Sequence, residues 1–263
     1  MNTSQKFTIH QIASASLKRI VRADVYSPDQ IQIAKGIDVL IVNDGQDLLK
    51  MDIHRMINGL ELGQHQLLLV AIHAGTERKQ EYGVSGSPDF MNRGSKAGEY
   101  STFIMNELIP YLYTNIGGSI IRNKYIAGFS LGGLMAFDLA MEFPLEFRAA
   151  GVFSGSFWWR SKDLTEGYVE ERDRIMHAKI RTKRSNNLQR FFLQTGALDE
   201  KADRNKNGII DSIDDTLDII KELEQIGFNK DEQIKYLELA DGKHDVATWA
   251  RAMPEFLNWL SLK

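Results

Sequence analysis

The sequence predicts an α/β protein whose central sheet is mainly parallel. From residue 38 onward, short apolar, β-branched runs alternate with longer segments of helical spacing, a pattern typical of βαβ crossovers. The segments around residues 7–26 instead alternate in polarity and are joined by short turns, which favours antiparallel edge strands. We therefore expect a mixed sheet with helices on both faces.

Seven strands are predicted from the apolar runs: Lys18–Val25, Asp38–Val42, Leu67–Ile72, Lys124–Phe129, Ala149–Phe153, Arg190–Gln194 and Ile234–Leu239. Helices are predicted at Met51–Leu60, Tyr100–Tyr113, Leu131–Glu142, Asp215–Ile226 and Val246–Leu260. The sequence contains no internal repeat and no long Pro/Gly/Ser linker, so a single domain is predicted over residues 1–263. Residues 155–187 are the least regular, and they form either an excursion near the mouth of a site or a solvated loop.

The composition restricts the possible partners and location. A hydrophobic share of 43 % and a charged share of 25 % over 263 residues are typical of a soluble globular protein. A net charge of −3 gives no reason to expect nucleic acid or a membrane surface as partner. The absence of cysteine excludes disulfides, thiolate metal sites and cysteine nucleophiles. No apolar run resembles a signal peptide or a spanning helix, so we expect a cytoplasmic location, or secretion if a signal peptide has been removed.

A serine lies between glycines where a predicted strand meets a predicted helix. In YIAGFSLGGLMAF, residues 125–137, the segment Gly128–Gly132 has the pattern G-x-S-x-G. This pattern forms a nucleophile elbow, a turn so sharp that glycine is needed beside the serine. It raises the hydroxyl of Ser130 above the carboxyl ends of the strands, and the helix that follows directs backbone N–H groups toward developing negative charge. The alternative is an ordinary tight turn.

A nucleophilic serine needs a base and an acid, which follow it along the chain in this type of fold. His244 lies in a turn-rich loop between the last strand and the last helix, whereas His177 lies in a helix-like basic run. We therefore predict His244 as the base. Asp199 is the predicted acid because it is the first carboxylate after the strand that ends near Thr195, and Glu200 is the alternative.

Several ordered motifs together resemble the putative esterase family of α/β-hydrolases, which includes esterase D-like, feruloyl or acetyl-xylan esterase-like and enterochelin esterase-like enzymes. They are GFSLGG, VLIVNDGQDLL, RKQEY, ELIPYL, FSGSFWW and GKHDVATWARAMPEFLNWL, and they span almost the whole chain. The resemblance implies an α/β-hydrolase fold with Ser130 as nucleophile, Asp199 as acid and His244 as base. It also implies an oxyanion hole formed by the backbone amides of Leu131 and Gln46, although the lipase-type HGGG motif is absent.

Further side chains are candidates for the substrate pocket. Arg78 and Tyr82 could lie at its mouth, although an arginine paired with Glu81 beside a tyrosine is more often structural. Trp158 and Trp159 follow a strand end on the predicted active-site edge and would suit an aromatic or acyl group, with one of them expected in the core. Three aromatic residues of the last helix are interpreted as its docking face: Trp249, Phe256 and Trp259.

The segment DRNKNGIIDSID, residues 203–214, has the spacing of an EF-hand calcium loop. The predicted ligands are Asp203, Asn205, Asn207, the Ile209 carbonyl, Asp211 and Asp214, with Gly208 at the sharp turn. A polar turn that caps the next helix is the alternative. We hypothesise a structural Ca²⁺ that stiffens the chain beside Asp199.

The expected function is a serine esterase that cleaves a small acyl or aromatic ester through an acyl-enzyme, with no organic cofactor. One alternative is a siderophore trilactone esterase. Another, from a different class, is a non-catalytic protein that binds a ligand or partner in the same pocket. The sequence does not predict the oligomeric state.

Overall fold

An eight-stranded sheet forms the centre of the computed structural model, in the strand order β1-β2-β4-β3-β5-β6-β7-β8. The structure describes residues 7–29, 36–60, 66–117 and 121–261. The strands are β1 (Phe7–Ser14), β2 (Arg19–Tyr26), β3 (Ile37–Asn43), β4 (Gln66–Ile72), β5 (Ile121–Phe129), β6 (Ala149–Phe153), β7 (Arg190–Leu198) and β8 (Ile234–Lys243).

The sheet is mixed in the way that the sequence predicts. Strand β1 pairs with β2, and β2 with β4, in antiparallel register. The other neighbours, from β4 through β3 to β8, are all parallel. The predicted antiparallel edge and parallel centre are therefore confirmed, and the carboxyl ends of β3 to β8 lie along one edge of the sheet.

Ten α-helical segments connect and cover the strands of the described chain: α1 (Ile53–Asn58), α2 (Arg78–Glu81), α3 (Ala97–Thr102), α4 (Ile109–Leu112), α5 (Leu131–Glu142), α6 (Glu170–Asp173), α7 (Ile175–Ile180), α8 (Asp211–Gln225), α9 (Lys230–Gln233) and α10 (Val246–Ser261). A 3-10 helix, Gly45–Lys50, follows β3, and a π-helical segment, Phe103–Leu108, joins α3 to α4. Among the described residues, no helix is both long and apolar enough to span a bilayer.

Two apolar cores lie on opposite faces of the sheet, as expected. One contains side chains of α3, α5 and α8, including the fully buried Tyr100, Phe137 and Leu223. The other contains α1 and α10, with Ile57 and Phe256 buried against the sheet. Burial on both faces explains why β3 and β4 are continuous apolar runs rather than alternating ones.

Two predicted helices differ from the structure at specific residues. The helix predicted over Tyr100–Tyr113 is interrupted by the π-helical segment just before Pro110, which lacks the N–H that a regular helix needs. Helix α8 begins at Asp211, four residues earlier than predicted. The last part of the predicted calcium loop, which includes Asp214, therefore lies within a helix.

Candidate active site

The turn between β5 and α5 has the geometry that the glycine pattern predicts. Ser130 has φ 54° and ψ −119°, a strained backbone conformation for a residue with a side chain. A Cβ atom on Gly128 would lie 2.2 Å from the backbone oxygen of Gly132. A Cβ atom on Gly132 would lie 2.5 Å from a carboxylate oxygen of Asp44. Backbone and side-chain crowding therefore requires glycine on both sides of the serine.

Backbone hydrogen bonds fix Ser130 at the end of the sheet. Its N–H donates to Phe153 O at 2.8 Å, and its carbonyl accepts from Leu134 N at 3.1 Å and from Ser156 N at 3.2 Å. The Ser156 hydroxyl is 3.4 Å from the Ser130 hydroxyl, and Ser156 is buried. Sequence reasoning did not single out Ser156, although it follows a strand end in the motif FSGS.

His244 lies directly after β8 and reaches the serine. Its Nε2 is 2.8 Å from Ser130 Oγ, within hydrogen-bond distance. The next residue, Asp245, accepts a hydrogen bond from Thr248 N at 2.8 Å and caps α10. Part of the His244 side chain is exposed. Burial of the rest of the ring disfavours its charged form and lowers the pKa of His244 below the ordinary value. The charge of Asp199 opposes this shift, and that of Arg78 adds to it.

Asp199 follows β7 and interacts electrostatically with His244. Its Oδ2 accepts from Gly196 N at 3.1 Å, whereas its Oδ1 is buried without a hydrogen-bond partner in the described part of the chain. Burial raises the pKa of Asp199, and the Gly196 N–H, the Ser154 hydroxyl and the charge of His244 oppose that shift. The charges of Asp199 and Asp245 each act to raise the pKa of His244, against the effect of burial.

The turn after β3 packs against the start of α5. Asp44, with φ 59°, accepts two hydrogen bonds from Arg78, at 2.6 Å from Nε and 2.7 Å from Nη2. Asn43 Nδ2 donates to Gly132 O at 2.9 Å. Both Asn43 and Asp44 are buried, and sequence reasoning gave them no role. In the sequence they are recognisable only as two polar residues directly after a run of apolar strand residues.

The two predicted oxyanion donors lie at these two turns. Leu131 is the first residue of α5, so its N–H has no partner within the helix. Gln46 lies in the 3-10 helix after β3, and its side chain bridges neighbouring loops, with Ala74 N donating to Oε1 at 3.0 Å. A Cβ atom on Gly45 would lie 2.4 Å from the backbone of Ala71, so the turn can approach β4 this closely only with glycine.

The four predicted pocket residues differ in exposure. Arg78 is 31 % exposed, and its charge is near enough to lower the pKa of His244. Trp158 is half-buried, with the Arg93 guanidinium 4.9 Å from its ring. Tyr82 and Trp159 are each 0 % exposed, so neither has surface with which to contact a substrate in this conformation. Trp159 is the core member of the tryptophan pair.

The predicted calcium loop is closed by its own hydrogen bonds. Asp203 accepts from Asn207 N at 3.1 Å and from Gly208 N at 2.9 Å. Gly208 has φ 87°, which provides the sharp turn expected at this position. Ile209, whose carbonyl is a predicted ligand, is exposed.

The other predicted ligands also have partners within the protein. Asp211 accepts from Arg204 N at 2.8 Å, and Asp214 accepts from Asn205 Nδ2 at 2.7 Å. Within the described ranges, no group of three or more His, Cys, Asp or Glu side chains is arranged to hold a metal ion. The structure gives no support for Ca²⁺, and the calcium loop stays a prediction.

Most of the chain is similar in sequence to a known protein family. Residues 14–260 match the family described as "Putative esterase". The uncharacterized protein YbbA of Bacillus subtilis (strain 168) is 27 % identical over 134 residues, which cover 48 % of this chain and 52 % of that protein. The chain thus aligns with about half the length of this curated relative.

Solved structures share the fold at low sequence identity. The enterobactin esterase FES from Shigella flexneri, solved in the presence of enterobactin, has a TM-score of 0.72 at 18 % identity, over 99 % of this chain and 60 % of that one. The BES protein from Bacillus cereus has a TM-score of 0.70 at 18 % identity, over 100 % and 97 % of the chains. A ferulic acid esterase has a TM-score of 0.63 at 18 % identity, over 97 % of each chain. The sheet and its helices have the α/β-hydrolase fold.

Proposed function

Because the chain belongs to the putative esterase family, a family of carboxylic ester hydrolases, we propose that it cleaves esters through Ser130, His244 and Asp199. The observation that carries this proposal is the 2.8 Å contact between His244 Nε2 and Ser130 Oγ at the strained turn after β5. A base within hydrogen-bond distance of a serine hydroxyl is the arrangement that activates serine as a nucleophile.

The acylation step uses His244 first as a base and then as an acid. His244 accepts the Ser130 proton as Oγ attacks the ester carbonyl, and a tetrahedral oxyanion forms. The backbone N–H groups of Leu131 and Gln46 stabilise this oxyanion, each by about 3–4 kcal/mol if both reach it. The imidazolium then donates its proton to the alkoxide that leaves, and Ser130 retains the acyl group.

Deacylation reverses the roles. His244 removes a proton from water as the water oxygen attacks the acyl-enzyme, and it returns that proton to Ser130 Oγ when the carboxylic acid is released. Asp199 stabilises the imidazolium. Its buried Oδ1, unpartnered among the described residues, is the atom that we expect to accept a hydrogen bond from the Nδ1–H group of His244, while that proton stays on the ring.

The substrate that we propose is a small acyl or aromatic ester. The half-buried Trp158 and the partly exposed Arg78 are the two predicted pocket residues with surface available for contact. A siderophore trilactone is the alternative substrate, and a non-catalytic binding protein is the alternative from another class. The cytoplasmic location and the single-domain organisation stay predictions.

The test is hydrolysis by the purified protein and by Ser130→Ala. The substrates are p-nitrophenyl esters from acetate to decanoate, methyl ferulate and enterobactin. A fluorophosphonate probe, which labels activated serines without needing the correct ester, is added in parallel. Turnover and labelling that both disappear in Ser130→Ala support the proposal. If the wild-type protein hydrolyses none of these esters and is not labelled by the probe, the proposal is wrong and a binding role is favoured.

A structural calcium ion is a separate proposal with its own test. The loop 203–214 begins four residues after Asp199, so an ion there would stiffen the segment that carries the proposed acid. Calcium should raise the melting temperature relative to EGTA, and Asp203→Ala should remove that increase. Identical melting temperatures in calcium and EGTA would contradict it.

A further inference from the structure

We infer that Trp249 and Ser154 are positioning residues that hold Asp199 and His244 in register with Ser130. The inference rests on the proposed function, because these two side chains act through the proposed triad and need not touch substrate. Trp249 lies in α10 and Ser154 directly after β6.

The Trp249 side chain contacts the proposed base itself, the residue before the proposed nucleophile, and a serine whose hydroxyl acts on the proposed acid. Its ring stacks on Phe129, the residue before Ser130, at a centroid distance of 5.1 Å and an interplanar angle of 21°. The same ring meets the His244 imidazole edge-on, at 5.4 Å and 81°. Its Nε1 donates to Ser154 Oγ at 3.0 Å. One rigid indole therefore joins the nucleophile's strand, the base and the neighbour of the acid.

Ser154 is arranged to pass this constraint to Asp199. It is 2 % exposed, has φ 47°, and its N–H donates to Gln194 O at 2.8 Å. Since Ser154 Oγ accepts a hydrogen bond from the indole N–H, the hydroxyl's own proton remains for another acceptor. Burial raises the pKa of Asp199, and the Ser154 hydroxyl partly opposes that shift by stabilising the ionised carboxyl.

The alternative is that Trp249 only docks α10 on the sheet. Trp259, on the same helix, provides a comparison, because the contacts named here for it serve to dock the helix. Its ring packs near Phe192 at 5.8 Å and lies 4.4 Å from the Arg190 guanidinium. Ten residues of helix, about 15 Å, separate the two tryptophans. Trp259→Phe is therefore a matched control for the loss of an indole from α10.

The experiment compares Trp249→Phe, Ser154→Ala, the double variant and Trp259→Phe. Phenylalanine at position 249 keeps an aromatic ring against Phe129 and His244 but removes the N–H donor. Three quantities are measured for each variant: the melting temperature, the pH dependence of the His244 imidazole signals by NMR, and kcat and KM for the best p-nitrophenyl ester. The NMR titration needs no substrate, so it remains informative if no ester is hydrolysed.

A positioning role predicts a specific combination of results. The charge of Asp199 raises the pKa of His244, so a less fixed Asp199 should let His244 titrate at lower pH in both single variants. We expect kcat to fall by about 10- to 100-fold with little change in KM, because small displacements of reacting groups have effects of this size. If Trp249 acts through Ser154, the double variant should resemble Ser154→Ala rather than show the sum of the two effects. Trp259→Phe should lower the melting temperature but leave the His244 titration, kcat and KM unchanged.

The outcomes separate this inference from the proposed function. If Trp249→Phe and Ser154→Ala both have the His244 titration and the kcat of the wild type, the positioning role is wrong even though the enzyme is an esterase. If no ester is cleaved but the His244 titration shifts as predicted, the positioning stands and the proposed function fails. Equal effects of Trp249→Phe and Trp259→Phe on the His244 titration would reduce Trp249 to a docking residue.

Discussion

His244 Nε2 and Ser130 Oγ lie 2.8 Å apart, although 114 positions separate the two residues in the chain. In the sheet, β6 and β7 lie between the strand that precedes the serine and the strand that precedes the histidine. The loop that carries His244 must therefore reach back over the ends of two strands, because β8 and β5 lie three strand spacings apart, roughly 14 Å. The contact depends on tertiary structure at that edge and not on local sequence.

The backbone strain at Ser130 predicts that removing the side chain stabilises the protein. A residue with a Cβ at φ 54° and ψ −119° costs about 1–3 kcal/mol, and glycine avoids this cost but loses about 1 kcal/mol through its freer unfolded chain. Ser130→Gly should therefore be more stable to urea than Ser130→Ala, by about 1 kcal/mol. Ester hydrolysis should fall by more than about 10⁴-fold in both variants. A glycine variant less stable than the alanine variant would contradict this.

The lowered pKa of His244 predicts activity that extends into mildly acidic solution. The proposed base must be neutral, so kcat/KM should reach half its maximum below pH 6.5, the ordinary value for histidine. Arg78→Gln removes a positive charge that lowers the pKa of His244, so the acidic limb should move to higher pH. Arg78→Lys keeps the charge and is the control. An unchanged limb in Arg78→Gln would show that the arginine does not act on His244.

The buried ion pairs around Asp215 predict a large loss of stability when that carboxylate is removed. Asp215 is 1 % exposed and accepts from Arg174 Nη1 at 2.8 Å and from Arg204. Asp215→Asn leaves buried cations without a full partner and should lower the free energy of unfolding by about 3 kcal/mol or more. The exposed pair of Asp241 and Arg251 provides the control, because Asp241→Asn should cost less than about 1 kcal/mol. Equal losses in urea unfolding would contradict the difference in burial.

Burial of His177 predicts sensitivity to acid. His177 is fully buried, with Nε2 3.0 Å from Asp215 O, and burial lowers its pKa to about 3. The unfolded chain binds this proton below about pH 6.5, whereas the native protein does not until about pH 3. Stability should therefore fall as the pH drops through that window, by up to about 1.4 kcal/mol per pH unit. His177→Gln should lose stability less steeply with acid, and parallel curves of melting temperature against pH would refute this.

The sequence was sufficient wherever a pattern follows directly from backbone geometry. Gly128 and Gly132 identify the turn at Ser130, because a side chain would meet the backbone at Gly128 and the Asp44 carboxylate at Gly132. The alternation between short apolar runs and helical spacing predicts the parallel sheet and all of its parallel strands. The ends of β7 and β8 extend further than predicted, since their last residues are less apolar but still pair with each other.

The sequence could not distinguish residues whose role depends on contacts across the fold. Trp249 has the same helical spacing as Phe256 and Trp259 whether or not its N–H is bonded, so its contact with Ser154 leaves no trace in the pattern. Likewise, a positive φ at Ser154 follows from its neighbours and not from the residue type. Asp44 was missed for a similar reason, because its partner Arg78 is 34 positions away.

The order in which the strands are made has a consequence for biosynthesis. In the proposed mechanism the nucleophile precedes the acid, and the acid precedes the base, in the order of translation. A chain released from the ribosome before residue 244 would contain Ser130 and the glycines around it, but not the imidazole of His244. Such a fragment could not hydrolyse esters even if its sheet had formed as far as β7. Ester turnover would therefore count only chains translated past residue 244, whereas an immunoblot of denatured chains with an antibody against the buried α5 segment would count the shorter products as well.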